Sequence, residues 1–392
     1  MATFLLIIIY VAFIGLGIPD SLFGAAWPAI YNDFGVGVSY AGFVTVLVSG
    51  CTVISSLMSS KVINKFSTPV VTAVSTAMTA IALVGYSISP NLWSMCAFAI
   101  VLGLGAGAID AALNNYIALY YNAMHMNFLH CFYGVGVVVS PYIMSVMMKN
   151  STWRGGYQIA FYIQLAITLI MFLSLPLWKK VRPKNINSKE EITPKVLSMG
   201  EMAKTPSIRL VWILCIATNV IEAMCGVWGS TFLVSAHKLS VASAAGAILF
   251  FYLGMALGRF LSGILSAKLS SWKLIYAGTA AVFAAIALMF VPNATVGIVG
   301  LFLAGLGNGP IYPNIMFLTP KNFGEDVSQS VIGSQMAFAY TGFLAIPPIF
   351  GVLAQYIGAE VFPYFMTLWF VILVVSTLSF VKKLKQEKRY VG

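Results

Sequence analysis

The segment KKVRPKNINSKEEITPK, residues 179–195, is a long polar stretch near the midpoint of a chain of 392 residues. It is rich in charge, proline and asparagine, whereas the whole chain is 60% apolar and only 8% charged. Soluble domains carry about 25% charged residues, so a chain this apolar requires a bilayer as its solvent. The polar region at 179–207 is too short to bury a core of its own. We interpret it as a linker between two bundles of membrane helices.

Twelve apolar runs are long enough to cross a membrane, six on each side of this linker. A helix needs roughly 20 apolar residues to span the hydrocarbon core. The runs lie near residues 3–30, 39–61, 69–89, 93–120, 127–148, 156–178, 209–235, 241–267, 273–291, 295–319, 329–356 and 361–381. The sequence therefore predicts an all-α membrane protein with twelve transmembrane helices.

The distribution of Lys and Arg predicts the orientation of these helices. Eighteen basic residues fall in the segments on the side of the two chain ends, and three fall in the loops on the other side. The positive-inside rule therefore places both termini in the cytoplasm. The short loops are typical of a bacterial inner membrane protein. The predicted divisions are an N-terminal bundle at 1–178, a cytoplasmic linker at 179–207, a C-terminal bundle at 208–381 and a basic cytoplasmic tail at 382–392.

The two halves of the chain resemble each other at an offset of about 202 residues. The matching positions are an acid, a set of glycines, a tyrosine and a proline. They are Asp20 with Glu222, Gly24 with Gly226, LGLGAG (102–107) with AGLGNG (304–309) and, at an offset of 207, Tyr133 and Pro141 with Tyr340 and Pro348. Parallel repeats of six spans are the architecture of major facilitator transporters, with two pseudo-symmetric six-helix bundles.

The chain resembles members of the major facilitator superfamily over its whole length, and more narrowly the fucose–galactose–glucose proton symporter group. The segments that carry the resemblance are GLGIPDSLFGAAWP (15–28), GAGAIDAALNNYI (105–117), LHCFYGVGVVVSP (129–141), GNGPIYPNIM (307–316) and GSQMAFAYTGFLAIPP (333–348). The resemblance implies a transporter that works by alternating access. One departure is the charged loop usual between spans two and three, which is degenerate here as SSKVINKFSTP (59–69). That departure leaves the cytoplasmic gate usually assigned to this loop in doubt.

Ionisable side chains within the spans are the first candidates for chemistry, because each costs at least ~2.5 kcal/mol in a bilayer. Asp20 follows Pro19, which frees a backbone carbonyl in the middle of span one. It shares a helix face with Gly24 and Trp27. An acid in this setting is suited to carry a proton, and Trp27 offers a flat ring for a sugar or an aromatic solute. The alternative role of Asp20 is a structural hydrogen bond at a helix broken by proline.

Span four carries a second polar group. Asp110 and Asn114 lie one helical turn apart, with Asn115 beside them, and carboxylate and amide groups are usual partners of sugar hydroxyls. The resemblance implies that Asp20 and Asp110 are the proton-linked and sugar-linked pair, and it leaves open which acid does which. His130 opens span five, one turn before Tyr133, which is also predicted to bind the substrate. It is a candidate for proton relay or substrate binding, and equally for a backbone hydrogen bond at the membrane interface.

In the second half, Glu222 mirrors Asp20 and is a further candidate for proton coupling, with Trp228 nearby. Its alternative is an ion pair with Arg259, which is predicted to act as a gate or an ion-pair partner. Five neutral residues are predicted to line the substrate site from spans ten and eleven: Asn308, Tyr312, Asn314, Gln335 and Tyr340. Since no Lys or Arg falls on the expected cavity faces of spans one, four, seven and ten, an anionic substrate is disfavoured.

These observations predict a secondary active transporter that moves a small neutral polar solute, with a sugar favoured, together with a proton. The alternative is a proton-linked exporter of hydrophobic drugs or an amphiphile flippase on the same fold. No nucleotide-binding loop is present in the sequence, and an enzyme is not expected. We expect no metal and no cofactor, with Na⁺ open as the coupling ion. The expected partners are a small-molecule substrate and the lipid bilayer, without nucleic acid, and the chain is expected to be a monomer.

Overall fold

The computed structural model describes residues 2–37, 40–180 and 194–391, so residues 181–193 of the predicted linker lie outside the described residues. Within the described ranges every regular element is a helix. Twelve helical segments there are long and apolar enough to cross a membrane, which confirms the predicted all-α fold with twelve spans. A bilayer offers no hydrogen bonds to a backbone, and an α-helix satisfies its own.

The first half contains six long helices. They are α1 Ala2–Phe34, α2 Ala41–Phe66, α3 Thr68–Ile88, α4 Leu92–Tyr120, α5 Ala123–Asn150 and α6 Trp153–Lys180. The second half begins with a short helix inside the predicted linker. Its helices are α7 Met199–Lys204, α8 Pro206–His237, α9 Val241–Leu265, α10 Ser271–Met289, α11 Ala294–Asn308, α12 Ile311–Phe323, α13 Ser328–Ile357 and α14 Phe362–Gln386.

Helices α11 and α12 together form one membrane span, Ala294–Phe323. The span is interrupted at Gly309 and Pro310, where proline cannot donate a backbone hydrogen bond. Pro313 lies in the first turn of α12, a position that tolerates proline. Pro310, rather than Pro313, is therefore the proline at which this span is interrupted.

The contacts divide the chain into two compact units. The first holds Met1–Tyr116 and Leu129–Val196, and the second holds Ile117–Phe128 and Leu197–Gly392. The predicted bundles did not anticipate that the end of α4 and the start of α5 would group with the C-terminal helices. In the second unit, Phe128 near the start of α5 stacks on Phe260 of α9 with ring centroids 5.8 Å apart. This contact contributes to the grouping.

In the first unit, α4 packs against α2 through two glycines one turn apart. A Cβ atom at Gly103 would lie 2.2 Å from the Val48 carbonyl oxygen, and one at Gly107 would lie 2.5 Å from the Thr52 carbonyl oxygen. Real Cβ atoms do not approach this closely, so these positions require glycine. Small residues are the usual means by which membrane helices pack, because lipid provides no hydrophobic driving force between them.

The second unit uses the same device at the equivalent positions. A Cβ atom at Gly305 of α11 would lie 2.1 Å from the Phe251 carbonyl oxygen, and one at Gly309 would lie 2.6 Å from the Met255 carbonyl oxygen. Both carbonyls belong to α9. The glycine pattern that indicated an internal repeat in the sequence therefore reports one kind of helix contact, made at equivalent positions in both units.

The end of the chain packs back onto the second unit. Trp272 of α10 is buried and donates an indole hydrogen bond to the Val391 carbonyl oxygen at 2.9 Å. The Tyr390 ring stacks on the Trp272 ring with centroids 5.6 Å apart. Ser207, at the start of α8, donates a hydrogen bond to Glu387 Oε2 at 2.6 Å. The last residues thus connect to the beginnings of α8 and α10.

We predict that Gly305→Ala lowers the thermal unfolding temperature of the detergent-solubilised protein, because α9 and α11 must move apart to admit the methyl group. Overpacking of this kind costs roughly 1–3 kcal/mol. The matched control is Gly246→Ala on α9, where a Cβ atom meets nothing within 4 Å. Because alanine favours a helix over glycine, the control is expected to unfold at the same temperature or slightly higher. Equal unfolding temperatures for the two variants would contradict the prediction.

Candidate functional site

Asp20 lies where α1 and α5 approach each other closely. Tyr133 of α5 donates its hydroxyl hydrogen bond to Asp20 Oδ2. One residue along α1, Ser21 Oγ donates to the Val137 carbonyl oxygen at 2.6 Å. A Cβ atom at Gly17 would lie 2.2 Å from the Tyr133 carbonyl oxygen, so the approach requires glycine there. The Asp20 side chain remains exposed. The structure therefore joins two predicted residues, Asp20 and Tyr133, in one accessible group.

Three other predicted residues form a chain of hydrogen bonds between α4 and α5, which we call the α4–α5 polar chain: Asp110, Asn114 and His130. Asn114 Nδ2 donates to Asp110 Oδ1 at 2.7 Å, and Asn114 Oδ1 lies 3.0 Å from His130 Nε2. An amide oxygen can only accept, so His130 Nε2 carries a hydrogen and donates. All three side chains are buried, with at most 7% exposed. His130 therefore bonds to a polar side chain of the site.

The α4–α5 polar chain also contacts α1. The Phe13 ring meets the His130 ring edge-on, with centroids 5.8 Å apart. Phe13 and Asp20 are seven residues apart on α1, so they share one face of that helix. Asn115, beside Asn114, is buried too. The face of α1 that carries Asp20 therefore also meets the α4–α5 polar chain, through Phe13.

Trp27 is less available to a ligand than the sequence suggested. Its side chain is only 7% exposed. It lies in a row of aromatic rings along α1, with the Phe23 centroid at 5.2 Å and the Tyr31 centroid at 6.2 Å. Trp27 also belongs to the hydrophobic core of the first unit, together with residues of other helices such as Met144 and Tyr157. Little of its surface is therefore left for stacking on a solute.

In the second unit, Glu222 and Arg259 form an ion pair between α8 and α9. Arg259 Nη2 lies 3.4 Å from Glu222 Oε2, with Arg259 almost fully buried. Opposite charges in a low-dielectric environment stabilise each other, and removal of one partner leaves a costly buried charge. Of the two alternatives for Glu222, the ion pair is present in the structure. The pairing also accounts for Arg259 within a span.

The neutral residues predicted from the second half are placed mainly in contacts between helices. Asn308 Oδ1 accepts a hydrogen bond from Thr218 Oγ1 at 2.8 Å and links α11 to α8. Asn314 Nδ2 donates to Ser262 Oγ at 3.0 Å. Gln335 Oε1 accepts from Thr319 Oγ1 at 3.0 Å. The three amide side chains are at most 2% exposed, so they lie between helices rather than on a surface open to a ligand. Within the described residues, Asn314 Oδ1 and Gln335 Nε2 have no hydrogen-bond partner.

Trp228 has a similar packing role, whereas two tyrosines remain partly open. The Trp228 indole donates to the Pro347 carbonyl oxygen at 2.9 Å, and a Cβ atom at Gly351 would lie 2.8 Å from the indole ring. Trp228 thus holds α8 against α13. Tyr312 and Tyr340 are half-buried, which makes them the more accessible of the residues predicted to line the site from spans ten and eleven.

Sequence reasoning missed the hydroxyl partners of these amides, among them Thr218, Ser262 and Thr319. Serine and threonine are common in membrane helices and often bond only to their own helix backbone, as Thr279 does with the Ile275 carbonyl oxygen at 2.8 Å. No signal in the sequence separates the two uses. The partner of each hydroxyl depends on which helix faces it.

The sequence matches the family profile of the Major Facilitator Superfamily over residues 6–344. Bypass of stop codon protein 6 of Saccharomyces cerevisiae is 22% identical over 427 residues, which cover 97% of this chain and 83% of that protein. The glucose/mannose transporter GlcP of Bacillus subtilis is 21% identical over 267 residues, 65% of each chain. These similarities extend to both halves of the chain.

Solved structures share the fold. The E. coli fucose:proton symporter FucP superimposes with a TM-score of 0.74 and 15% identity, covering 96% of this chain and 98% of that chain. FucP in its outward conformation gives a TM-score of 0.78 at 14% identity and the same coverage. These likenesses confirm the twelve-helix fold, and the profile match covers most of the chain. The chain belongs to the Major Facilitator Superfamily.

Proposed function

We propose that this membrane transporter moves a small neutral polar solute, with a sugar as the first candidate, together with a proton. The observation that carries the proposal is Asp20, an exposed carboxylate in the middle of a span. Three ion pairs are formed among residues 2–37, 40–180 and 194–391, and none of them includes Asp20. A carboxylate that no cation neutralises is suited to bind and release a proton during transport.

Because Asp20 lies on α1 and Tyr133 on α5, the protonation state of Asp20 affects the contact between these two helices. With Asp20 ionised, the Tyr133 hydroxyl donates to Oδ2, as observed. A proton on Oδ2 turns that oxygen into a donor and a weaker acceptor, so the Tyr133 hydroxyl can accept from Asp20 instead of donating to it. Proton binding also neutralises a charge that is costly to carry through a bilayer. Protonation of Asp20 thus changes the link between α1 and α5 and lowers the cost of reorientation.

The α4–α5 polar chain is the proposed substrate side of the site. The Asp110 carboxylate and the His130 imidazole each keep a small exposed surface of 7%, whereas the Asn114 amide between them is fully buried. A carboxylate and an imidazole in a fixed order suit sugar hydroxyls. His130 and Asn114 orient Asp110, so the carboxylate is held ready for a ligand. The names of GlcP, a glucose/mannose transporter, and FucP, a fucose:proton symporter, support a sugar substrate.

The remaining properties follow from this proposal and from the distribution of charge. Both termini lie in the cytoplasm, and the protein resides in the cytoplasmic membrane of a bacterium. It acts as a monomer without metal, cofactor or nucleic acid, and it catalyses no covalent reaction. The proton gradient supplies the energy, with Na⁺ as the second candidate for the coupling ion.

The aromatic row along α1 favours a second candidate function. Phe23 and Tyr31, which are half-buried, follow Asp20 along the helix on either side of the buried Trp27. An acid beside aromatic rings also suits a cationic or amphiphilic solute. A proton-linked exporter of hydrophobic drugs or an amphiphile flippase would use such a surface. The two candidates differ in the solute that a proton gradient drives.

We predict that proteoliposomes containing the protein accumulate a labelled hexose or 6-deoxyhexose when an inward proton gradient is imposed. Vesicles without a gradient should only equilibrate the sugar. The measurement is uptake over time, with a proton ionophore as the control that collapses the gradient. Absence of accumulation of every sugar by correctly folded protein, with gradient-driven movement of an amphiphile, would replace the first candidate by the second.

We predict that Asp20→Asn abolishes gradient-driven accumulation and spares exchange of labelled for unlabelled sugar, because asparagine cannot carry the proton but still accepts from Tyr133. The matched control is Asp33→Asn on the same helix, where Asp33 pairs with Arg154 at 2.5 Å near the helix end. That variant should still accumulate sugar. Loss of exchange together with accumulation in folded Asp20→Asn would remove Asp20 from the proton-carrier role.

We predict that Asn114→Ala weakens sugar binding roughly tenfold or more, the equivalent of about 1.4 kcal/mol, because Asp110 and His130 lose the amide that orients them. Sugar affinity is measured by calorimetry on the purified protein. The control is Asn219→Ala on α8, whose amide bonds only to the Cys215 carbonyl oxygen of its own helix, at 2.9 Å. Unchanged affinity in a folded Asn114→Ala protein would place the substrate elsewhere.

A further inference from the structure

The two halves of the chain differ in the space beside their equivalent acids. Gly24 lies one turn after Asp20, and Gly226 lies one turn after Glu222. A Cβ atom at Gly24 meets no atom within 4 Å, whereas one at Gly226 would lie 2.6 Å from the Tyr252 hydroxyl oxygen. The space is therefore open in the first unit and filled by a phenol in the second.

The two halves differ in charge at the same place. Glu222 is neutralised by Arg259 of α9 at 3.4 Å. Tyr252 and Arg259 are seven residues apart on α9, so they share the helix face that meets α8. One face of α9 thus supplies both the phenol beside Gly226 and the cation beside Glu222.

The glycine contacts identify the residues of α2 that correspond to this face. Gly103 contacts Val48 of α2, and its counterpart Gly305 contacts Phe251 of α9. The next glycine pair, Gly107 and Gly309, contacts Thr52 and Met255. The contacted residues of α2 and α9 are therefore 203 residues apart in both cases. By that offset, the counterparts of Tyr252 and Arg259 are Ser49 and Ser56. Ser56 is fully buried, and its hydroxyl lies 3.5 Å from the Gly107 carbonyl oxygen. Small, neutral residues therefore replace the large phenol and the cation.

We infer that the space beside Gly24 receives a hydroxyl-bearing part of the substrate next to Asp20, and that Tyr252 and Arg259 close the equivalent space in the second half. This inference rests on the proposed function and adds a residue that determines specificity. Gly24 limits the size of the group that can approach Asp20, because any side chain there occupies the space the substrate would use. The group therefore binds beside the acid of the first half and not beside the acid of the second half, although the two halves are repeats.

The absence of a cation beside Asp20 in the ion pairs described also restricts the substrate. An uncharged hydroxyl group donates to an ionised carboxylate, and it accepts from a protonated one. A substrate carboxylate at this position would be repelled by ionised Asp20. The group that enters beside Gly24 is therefore not an anion, and under the proposed function it is a small neutral group, such as a hydroxyl or hydroxymethyl group.

The first test measures the open space without any substrate. Gly24→Cys and Gly226→Cys are made in a protein whose five native cysteines are replaced, and each is treated with a water-soluble thiol reagent in proteoliposomes. Gly24→Cys should react at least roughly tenfold faster than Gly226→Cys, because thiol modification follows access. Equal rates in two folded variants would overturn the inference, whatever the protein transports.

The second test uses transport of D-glucose and 6-deoxy-D-glucose by Gly24→Leu. The expected result is a KM roughly tenfold higher or more for both sugars, with an unchanged unfolding temperature because the space is open. The matched control is Gly42→Leu at the start of α2, where a Cβ atom also meets nothing within 4 Å. Its KM should not change. An unchanged KM in Gly24→Leu would overturn the inference.

The two tests separate this inference from the proposed function. If the wild-type protein moves no sugar, the proposed function fails, and the cysteine reactivities still decide whether the halves differ in open space. A further variant pair checks the role of Tyr252. Gly226→Ala should lower the unfolding temperature, and the double variant Gly226→Ala, Tyr252→Phe should restore it, because the clash is with the phenol oxygen. No rescue would show that Tyr252 does not close the space.

Discussion

The close approach of helix backbones is the constraint on which the rest of this structure depends. In each unit, glycines one turn apart place one helix against the carbonyl oxygens of another, as Gly103 and Gly107 do for α4 on α2. Lipid does not push apolar helices together, so van der Waals contact at short range must supply the association. The approach at Gly17 follows the same rule and places Asp20 against Tyr133.

The cost of polar groups in a bilayer then determines how the remaining side chains are arranged. Asp110, Asn114 and His130 satisfy one another across α4 and α5, and Glu222 is satisfied by Arg259. Asp20 is the acid that keeps an exposed surface, with a tyrosine hydroxyl as its neighbour. A repeat in sequence has thus diverged in chemistry, since one half neutralises its acid with an arginine, whereas the acid of the other half takes part in none of the ion pairs of the described residues.

Several site residues could be predicted from the sequence because a charged or amide side chain inside a membrane span is costly unless it has a partner or a function. Asp110 with Asn114, one turn apart, is the clearest case, and the two are hydrogen-bonded as their spacing suggested. Trp27, Asn314 and Gln335 were expected to line the site, yet their side chains are largely buried in contacts within the protein. A side chain able to bind a ligand is equally able to bind a neighbouring helix, and composition does not distinguish these uses.

By itself, the sequence determined the membrane environment, the twelve spans, the two-fold repeat and the ionisable residues within the spans. These properties depend on local hydrophobicity and on residue identity, which are read along one chain. Only the tertiary structure decided that Tyr133 reaches Asp20, that Arg259 neutralises Glu222 and that Tyr252 fills the space beside Gly226. Those pairings depend on the register of one helix against another, which is set by packing between residues far apart in sequence.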